Sequence, residues 1–154
     1  MKRSFVVVAL LAVGVTVAAV ASSWASGTST TPTVHVIEHA TTDTVINTGA
    51  HGDTSGDLLT FHNVVFNAAN MARAGHDQGD CIRISPSAGS WGCRWITFVK
   101  GGGITVEGPF NDNHNTTLAV TGGTGVYRNA RGIMKLVSRH GGTEYDFEFF
   151  LTTA

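Results

Sequence analysis

The chain has 154 residues, of which 42% are hydrophobic and 14% charged, and its formal net charge is −1. A composition this apolar excludes an intrinsically disordered chain, and the length suits one domain with a single core. Because there is no excess of positive charge, sequence-independent binding to a nucleic acid is not expected.

The N-terminal residues are typical of a secretory signal. Lys2 and Arg3 give a basic start, an apolar run covers residues 5–21, and small residues occur at positions 19, 21, 23 and 25. Cleavage after Ala25 or after Ala21 fits this pattern. An uncleaved anchor is the alternative, because about 17 apolar residues can just span a bilayer. We predict a signal peptide at 1–25, a flexible segment at 26–33 and a secreted domain at 34–154, free of the membrane after cleavage.

Past residue 33 the dominant pattern is alternation of apolar and polar residues over short runs that end at glycine-rich or polar turns. It predicts eight strands, at residues 33–40, 57–67, 80–85, 91–100, 104–108, 116–121, 131–139 and 144–151. In the last run Tyr145, Phe147 and Phe149 share one face, which indicates an aromatic inner stripe. Residues 68–74 are expected to form a turn or a short helix.

Eight short strands at this spacing predict an all-β fold, a closed eight-stranded antiparallel barrel, since closure removes exposed strand edges. A barrel of this size either fills with side chains or holds one small ligand. A two-sheet sandwich is the structural alternative, because a period of two residues does not distinguish it from a barrel.

The two cysteines, Cys81 and Cys93, flank a predicted hairpin with its turn at residues 86–90. If the hairpin is symmetric about Ser87, the cysteines face each other at a distance that a disulfide can bridge. Thiols outside the cytosol tend to pair, so we predict a structural disulfide. A free, reactive Cys81 is the alternative, although no histidine and acid adjacent in sequence mark it as a nucleophile.

Arg83 lies opposite Trp91 in the same register, which favours a cation–π contact. If the disulfide points inward, so do Arg83, Trp91 and Trp95. A cationic group over aromatic walls would orient an anionic or carbonyl-bearing ligand. The alternative is a purely structural stack at the mouth of the barrel.

Two segments in the second half of the chain carry a resemblance to a known family. Residues 104–110 read ITVEGPF, and residues 118–132 read LAVTGGTGVYRNARG. Together they are similar to the allene oxide cyclase and dirigent barrel superfamily, over about Val34 to Leu151. The resemblance implies an eight-stranded barrel, often a homo-oligomer, with a hydrophobic interior cavity.

The resemblance also implies positions for functional residues. The cavity glutamate of the cyclases falls on Glu38, and their cavity cysteine falls on Cys81. The position of a water-binding asparagine holds Ala40, and that of a cavity tyrosine holds Phe110. Two polar groups of the cyclase site are therefore absent from these positions. A related ring closure, or a guided coupling, on a different substrate stays open as the function.

Glu38 is the first candidate for chemistry. It shares a strand face with Val34 and Val36, so an inward orientation of that face would place a carboxylate in an apolar barrel. Such a group has a raised pKa or a polar partner, and it can act as an acid or a base. The alternative is that the opposite face points inward, with His35, Ile37 and His39.

The expected function is that of a secreted barrel that binds a small hydrophobic molecule and steers a cofactor-free cyclisation or isomerisation. Glu38 and Arg83 are the expected catalytic residues. The expected ligand-binding residues are Val36, Trp91, Trp95, Phe110, Tyr127 and Phe147. Aromatic stripes of this kind also fill ordinary protein cores.

Two other function classes stay open. One is a dirigent-like protein that controls the coupling of intermediates made elsewhere, and the other is a secreted binding or structural barrel without chemistry. The seven histidines are dispersed along the chain, so a metal site is not expected. No other cofactor is expected either.

Overall fold

The computed structural model describes residues 30–152. The predicted signal peptide therefore lies outside the described residues, and it stays a prediction. The first five strands are β1 (Val34–His39), β2 (Thr44–Ile46), β3 (Leu58–Phe61), β4 (Val64–Asn67) and β5 (Arg73–Ser85). The others are β6 (Ser90–Val99), β7 (Gly102–Asn111), β8 (Thr116–Gly123), β9 (Arg131–Arg139) and β10 (Glu144–Thr152). A 3₁₀ turn, Gly125–Tyr127, lies between β8 and β9.

The strands close into an eight-stranded antiparallel barrel. Hydrogen bonding follows the order β5-β4-β1-β10-β9-β8-β7-β6, and β6 pairs with β5 to complete the ring. β4 pairs with the first part of β5, at residues 73–76, and β3 pairs with the later part, at residues 79–82. β3 and β4 therefore share one strand position of the barrel. β2 pairs with β3 at the edge. The predicted barrel is confirmed, and the sandwich alternative is wrong.

Three features differ from the predicted strands. The run 57–67 is two strands, because residues 62 and 63 interrupt it. β5 begins at Arg73 rather than at residue 80, since its first half pairs with β4 and β6 although it has no apolar alternation. β2 was not predicted, and its three residues are all exposed. Residues 68–72 form turns, and β5 follows directly.

The β5–β6 hairpin has the predicted register. Cys81 lies opposite Cys93 and Arg83 lies opposite Trp91, which is the symmetry about Ser87. The cysteines form a disulfide with their Cα atoms 4.0 Å apart. Both are buried in the core, so the predicted disulfide is confirmed.

The interior of the barrel is mostly packed with side chains. Phe147 and Phe149 of β10 are almost fully buried, as are Ile104 of β7 and Met134 of β9. Val36 belongs to this core and Val34 packs against it, which establishes the inward face of β1. No helix within residues 30–152 has the length and hydropathy that crossing a bilayer would take.

Candidate functional site

A small cavity lies inside the barrel and reaches the surface beside the exposed Asp43. It encloses about 40 Å³, and the space between its walls, the open mouth included, is about 370 Å³. A water molecule needs about 10–15 Å³ of enclosed volume, so the enclosed 40 Å³ has room for roughly three waters. The walls are mainly aromatic and aliphatic: Glu38, Asp43, Leu59, Phe61, Cys81, Cys93, Trp95, Phe110, Leu136, Tyr145 and Phe147.

Glu38 points into this cavity from β1. It lies between Val65 of β4 and Tyr145 of β10 in the strand register, and only 6% of it is exposed. The Asn63 amide donates a hydrogen bond to its carboxyl Oε1 over 2.8 Å. Burial raises the pKa of Glu38 well above its usual range, and the charge of Asp77 raises it further. The carboxyl is therefore neutral at pH values where an exposed glutamate is charged.

Asn63 holds several groups together at the break between β3 and β4. Its Nδ2 atom also donates to Asp43 over 2.7 Å, while its Oδ1 atom accepts from the backbone amides of Thr41 and Thr42. Its backbone pairs with that of Asp77 in both directions. With every donor and acceptor of the side chain bonded, Asn63 fixes the position of the Glu38 carboxyl.

Asp77 is the second buried acid, and it is fully buried on β5. Burial is the main reason that its pKa is raised, to about 7. Its Oδ2 atom has no hydrogen-bond partner among residues 30–152, and Thr97, the residue opposite on β6, has an equally unpartnered hydroxyl. Two neighbouring buried carboxyl groups resist double ionisation, so the pair retains a proton near neutral pH.

Tyr145 adds a phenol hydroxyl to the same cavity. Burial, followed by the charge of Glu38, raises the pKa of Tyr145 to about 12, so the hydroxyl remains a neutral donor. Its ring meets that of Phe110 edge-on, with centroids 5.8 Å apart. Phe110 of β7 itself lacks the hydroxyl that the resemblance implies, and β10, three strands away in the barrel, provides one through Tyr145 instead.

Trp95 forms the centre of the aromatic wall. Its ring centroid lies 5.5 Å from that of Phe147 and 6.0 Å from that of Phe61. A Cβ atom at Gly79, the residue opposite on β5, would overlap the Cβ and Cα atoms of Trp95 and the carbonyl oxygen of Arg94, so glycine there allows β5 and β6 to approach closely. The indole Nε1 has no hydrogen-bond partner among the described residues, although Trp95 is only 5% exposed.

The structure brings six of the predicted site residues to the cavity: Glu38, Trp95, Phe110 and Phe147, and the two disulfide residues Cys81 and Cys93. Sequence reasoning missed Asn63, Asp43 and Asp77. The one local signal was a polar pair, residues 62 and 63, inside the otherwise apolar run LLTFHNVVF. Within residues 30–152, no group of three histidine, cysteine or acidic side chains could hold a metal ion.

The other predicted site residues do not line the cavity. Arg83 is buried, but its guanidinium is bound by Asp53 and Asp112 and stacks on Trp91 at 4.4 Å from the ring centroid. The Trp91 indole donates to the same Asp112. Val36 packs in the core instead, and Tyr127 lies in the 3₁₀ turn.

Arg83, one of the two expected catalytic residues, does not line this cavity. Three of the five N–H groups of its guanidinium donate to the carboxylates of two loops, Asp53 and Asp112, which neutralise its charge. The arrangement matches the alternative of a structural stack.

Arg83→Lys is expected to lower the free energy of unfolding by about 1–2 kcal/mol, because lysine cannot bond both loop carboxylates in the planar geometry of a guanidinium. Urea denaturation measures this. Arg94→Lys is the matched control, because Arg94 is 74% exposed in its ion pair with Asp80, and we expect a change below about 0.5 kcal/mol. Equal effects of the two variants would contradict the structural role of Arg83.

Comparisons with known proteins agree with this architecture. The family model described as allene oxide cyclase matches residues 35–152. Pyocyanin demethylase has a similar structure, with a TM-score of 0.65 and 21% identity, covering 77% of this chain and 98% of its own. A pterocarpan synthase dirigent protein has a TM-score of 0.61 and 16% identity, covering 79% and 95%. AbnU, an exo-specific intermolecular Diels-Alderase, has a TM-score of 0.61 and 16% identity, covering 75% and 91%.

Proposed function

The chain belongs to the allene oxide cyclase family, and from that premise we propose that it is a secreted, cofactor-independent barrel that steers the cyclisation or isomerisation of a small, largely apolar molecule. The observation that carries the proposal is the Glu38 carboxyl, buried at the wall of an aromatic cavity. The similar structures named for a pterocarpan synthase and a Diels-Alderase support it, since both names denote the building of rings.

The chemistry assigned to Glu38 is that of a general acid. A neutral carboxyl donates a hydrogen bond, or its proton, to a substrate atom that gains negative charge as the ring closes, and it recovers the proton when the product forms. Asn63 holds the carboxyl in place, while the charge of Asp77 favours its protonated form. The aromatic rings hold the substrate in the folded conformation that the closure requires.

The volume of the cavity sets a condition on binding. Ligand sites usually enclose about 300–1,000 Å³, whereas this cavity encloses about 40 Å³. Three of its rings, those of Phe61, Phe110 and Tyr145, are only partly buried. In the proposal they move outward when a substrate enters. The small volume is also the observation that favours the second candidate, a filled barrel without chemistry.

Secretion is supported by the disulfide. A bond between Cys81 and Cys93 persists outside the cytosol, where thiols are not kept reduced. The basic and apolar residues at the start of the chain are the second support, because they have the order of a signal peptide.

The proposal is tested with unsaturated epoxides and conjugated polyenes that close a ring spontaneously. We expect the purified protein to accelerate closure and give one enantiomer in excess, measured by chiral chromatography. A dirigent-like protein would instead impose stereochemistry only after a one-electron oxidant is added. Racemic product at the uncatalysed rate under both conditions would overturn the proposal and leave the filled barrel.

A further inference from the structure

The indole N–H of Trp95 is a buried donor without a partner. Buried polar atoms are nearly always hydrogen-bonded, and leaving one unpaired costs about 1–3 kcal/mol. Trp91 shows the ordinary situation, since its indole donates to Asp112 over 2.9 Å. Trp95 lines the cavity, so its missing acceptor is one that a molecule in the cavity can supply.

The other polar residues of the cavity wall are Glu38, Asp43 and Tyr145. The Asn63 amide already donates to both carboxyl groups, and Tyr145 carries a phenol hydroxyl, which is a further donor. A ligand that bonds the Trp95 indole needs an acceptor oxygen, such as a carbonyl or an ether, because an indole N–H only donates.

The charges around the cavity restrict the ligand further. Two acids, Glu38 and Asp43, belong to the described cavity wall, and none of its residues is basic. The buried cation Arg83 is bound by two carboxylates away from the wall. An anion that entered would lose its hydration and find two acidic residues and no cation to compensate, which is unfavourable.

We propose that the cavity selects an uncharged molecule with a carbonyl or ether oxygen, and that Trp95 determines this specificity by donating its indole N–H to that oxygen. The inference rests on the proposed function, because it takes the cavity as the substrate site. The inference excludes any ligand that would place a carboxylate group inside the cavity.

The test uses three probes of nearly equal size: acetophenone, which carries a carbonyl; ethylbenzene, which carries no acceptor; and benzoate, which is an anion. Titrations followed by the indole N–H signals in NMR give the affinities and show which indole responds. We expect acetophenone to bind about fivefold more tightly than ethylbenzene, and benzoate to bind at least tenfold more weakly than acetophenone at pH 7. The Trp95 signal should move downfield with acetophenone alone.

Trp95→Phe retains an aromatic ring and removes the donor, so it should abolish the preference for acetophenone over ethylbenzene. Trp91→Phe is the matched control, since it removes an indole outside the cavity, and the preference should persist. Equal binding of acetophenone and ethylbenzene to the unaltered protein, or tighter binding of benzoate, would overturn the inference while leaving the cavity as a binding site. Failure of all three probes to bind would overturn the proposed function itself.

Discussion

Replacing Glu38 with glutamine is expected to lower the rate of the proposed ring closure by about 100-fold or more. An amide has nearly the shape of the carboxyl and can accept the same bond from Asn63, but it has no acidic proton. General acid catalysis typically contributes about 10²–10⁴-fold to a rate. The measurement is the initial rate of product formation with saturating substrate, with affinity measured separately by titration.

Glu107→Gln is the matched control, because Glu107 is exposed on β7 and does not line the cavity. Its rate should equal that of the unaltered protein. If Glu38→Gln retained the full rate, the carboxyl would have no role in proton transfer, and only the orienting effect of the rings would remain as a source of catalysis.

The same variant should change how stability depends on pH. The folded-state pKa values of Glu38 and Asp77 are raised, so the unfolded chain releases their protons at lower pH than the folded protein does. This contribution to stability is complete below about pH 4 and is lost as the pH rises towards and beyond 7. We expect urea denaturation to show a loss of at least about 2 kcal/mol between pH 5 and pH 8 that Glu38→Gln reduces. An identical loss in both proteins would show that folding does not change the pKa of Glu38.

Removing the disulfide is expected to have the largest effect on stability. The cysteines are separated by 12 positions, and a cross-link closing a loop of this size stabilises the fold by about 3 kcal/mol, largely through the unfolded chain. For a domain of this length, Cys81→Ala with Cys93→Ala should lower Tm by about 10 °C in a thermal melt. Both cysteines also line the cavity, so the variant should enlarge it and weaken the binding of acetophenone.

Reduction provides the control for this prediction. Reductant added to the unaltered protein under conditions that open the fold should give nearly the same fall in Tm, whereas the double variant should not respond to it. A double variant that melts within 2 °C of the unaltered protein would contradict a stabilising role of about 3 kcal/mol.

Short-range patterns were sufficient for several features. Alternation placed Val34, Val36 and Glu38 on one face of β1, and the packing of the two valines in the core shows that this face points inward. The pairing of Cys81 with Cys93 was read from the symmetry of one hairpin. The start of β5 was missed, because its first half contains glycine and polar residues and pairs with β4 and β6 without an apolar pattern.

The polar groups of the site, by contrast, were not predictable from short-range patterns. Position 40, where the resemblance implies an asparagine, holds alanine, yet Asn63 supplies an amide to the Glu38 carboxyl from the break between β3 and β4. Likewise Phe110 lacks a hydroxyl that Tyr145 supplies to the same cavity. Neither replacement is visible in sequence, because the groups come from different strands and meet only when the barrel closes.

The amino-acid sequence by itself predicted the Cys81–Cys93 disulfide from the symmetry of one hairpin, and it favoured an antiparallel barrel with Glu38 on an inward strand face. The period of two residues left the sandwich and the opposite strand face open, and the tertiary structure excluded both. Only the tertiary structure decided which polar groups surround that carboxyl and how much space remains beside it. It also placed Arg83 between Asp53 and Asp112 rather than in the cavity. These outcomes depend on loop positions and on packing between strands far apart in the chain, and local alternation carries no information about either.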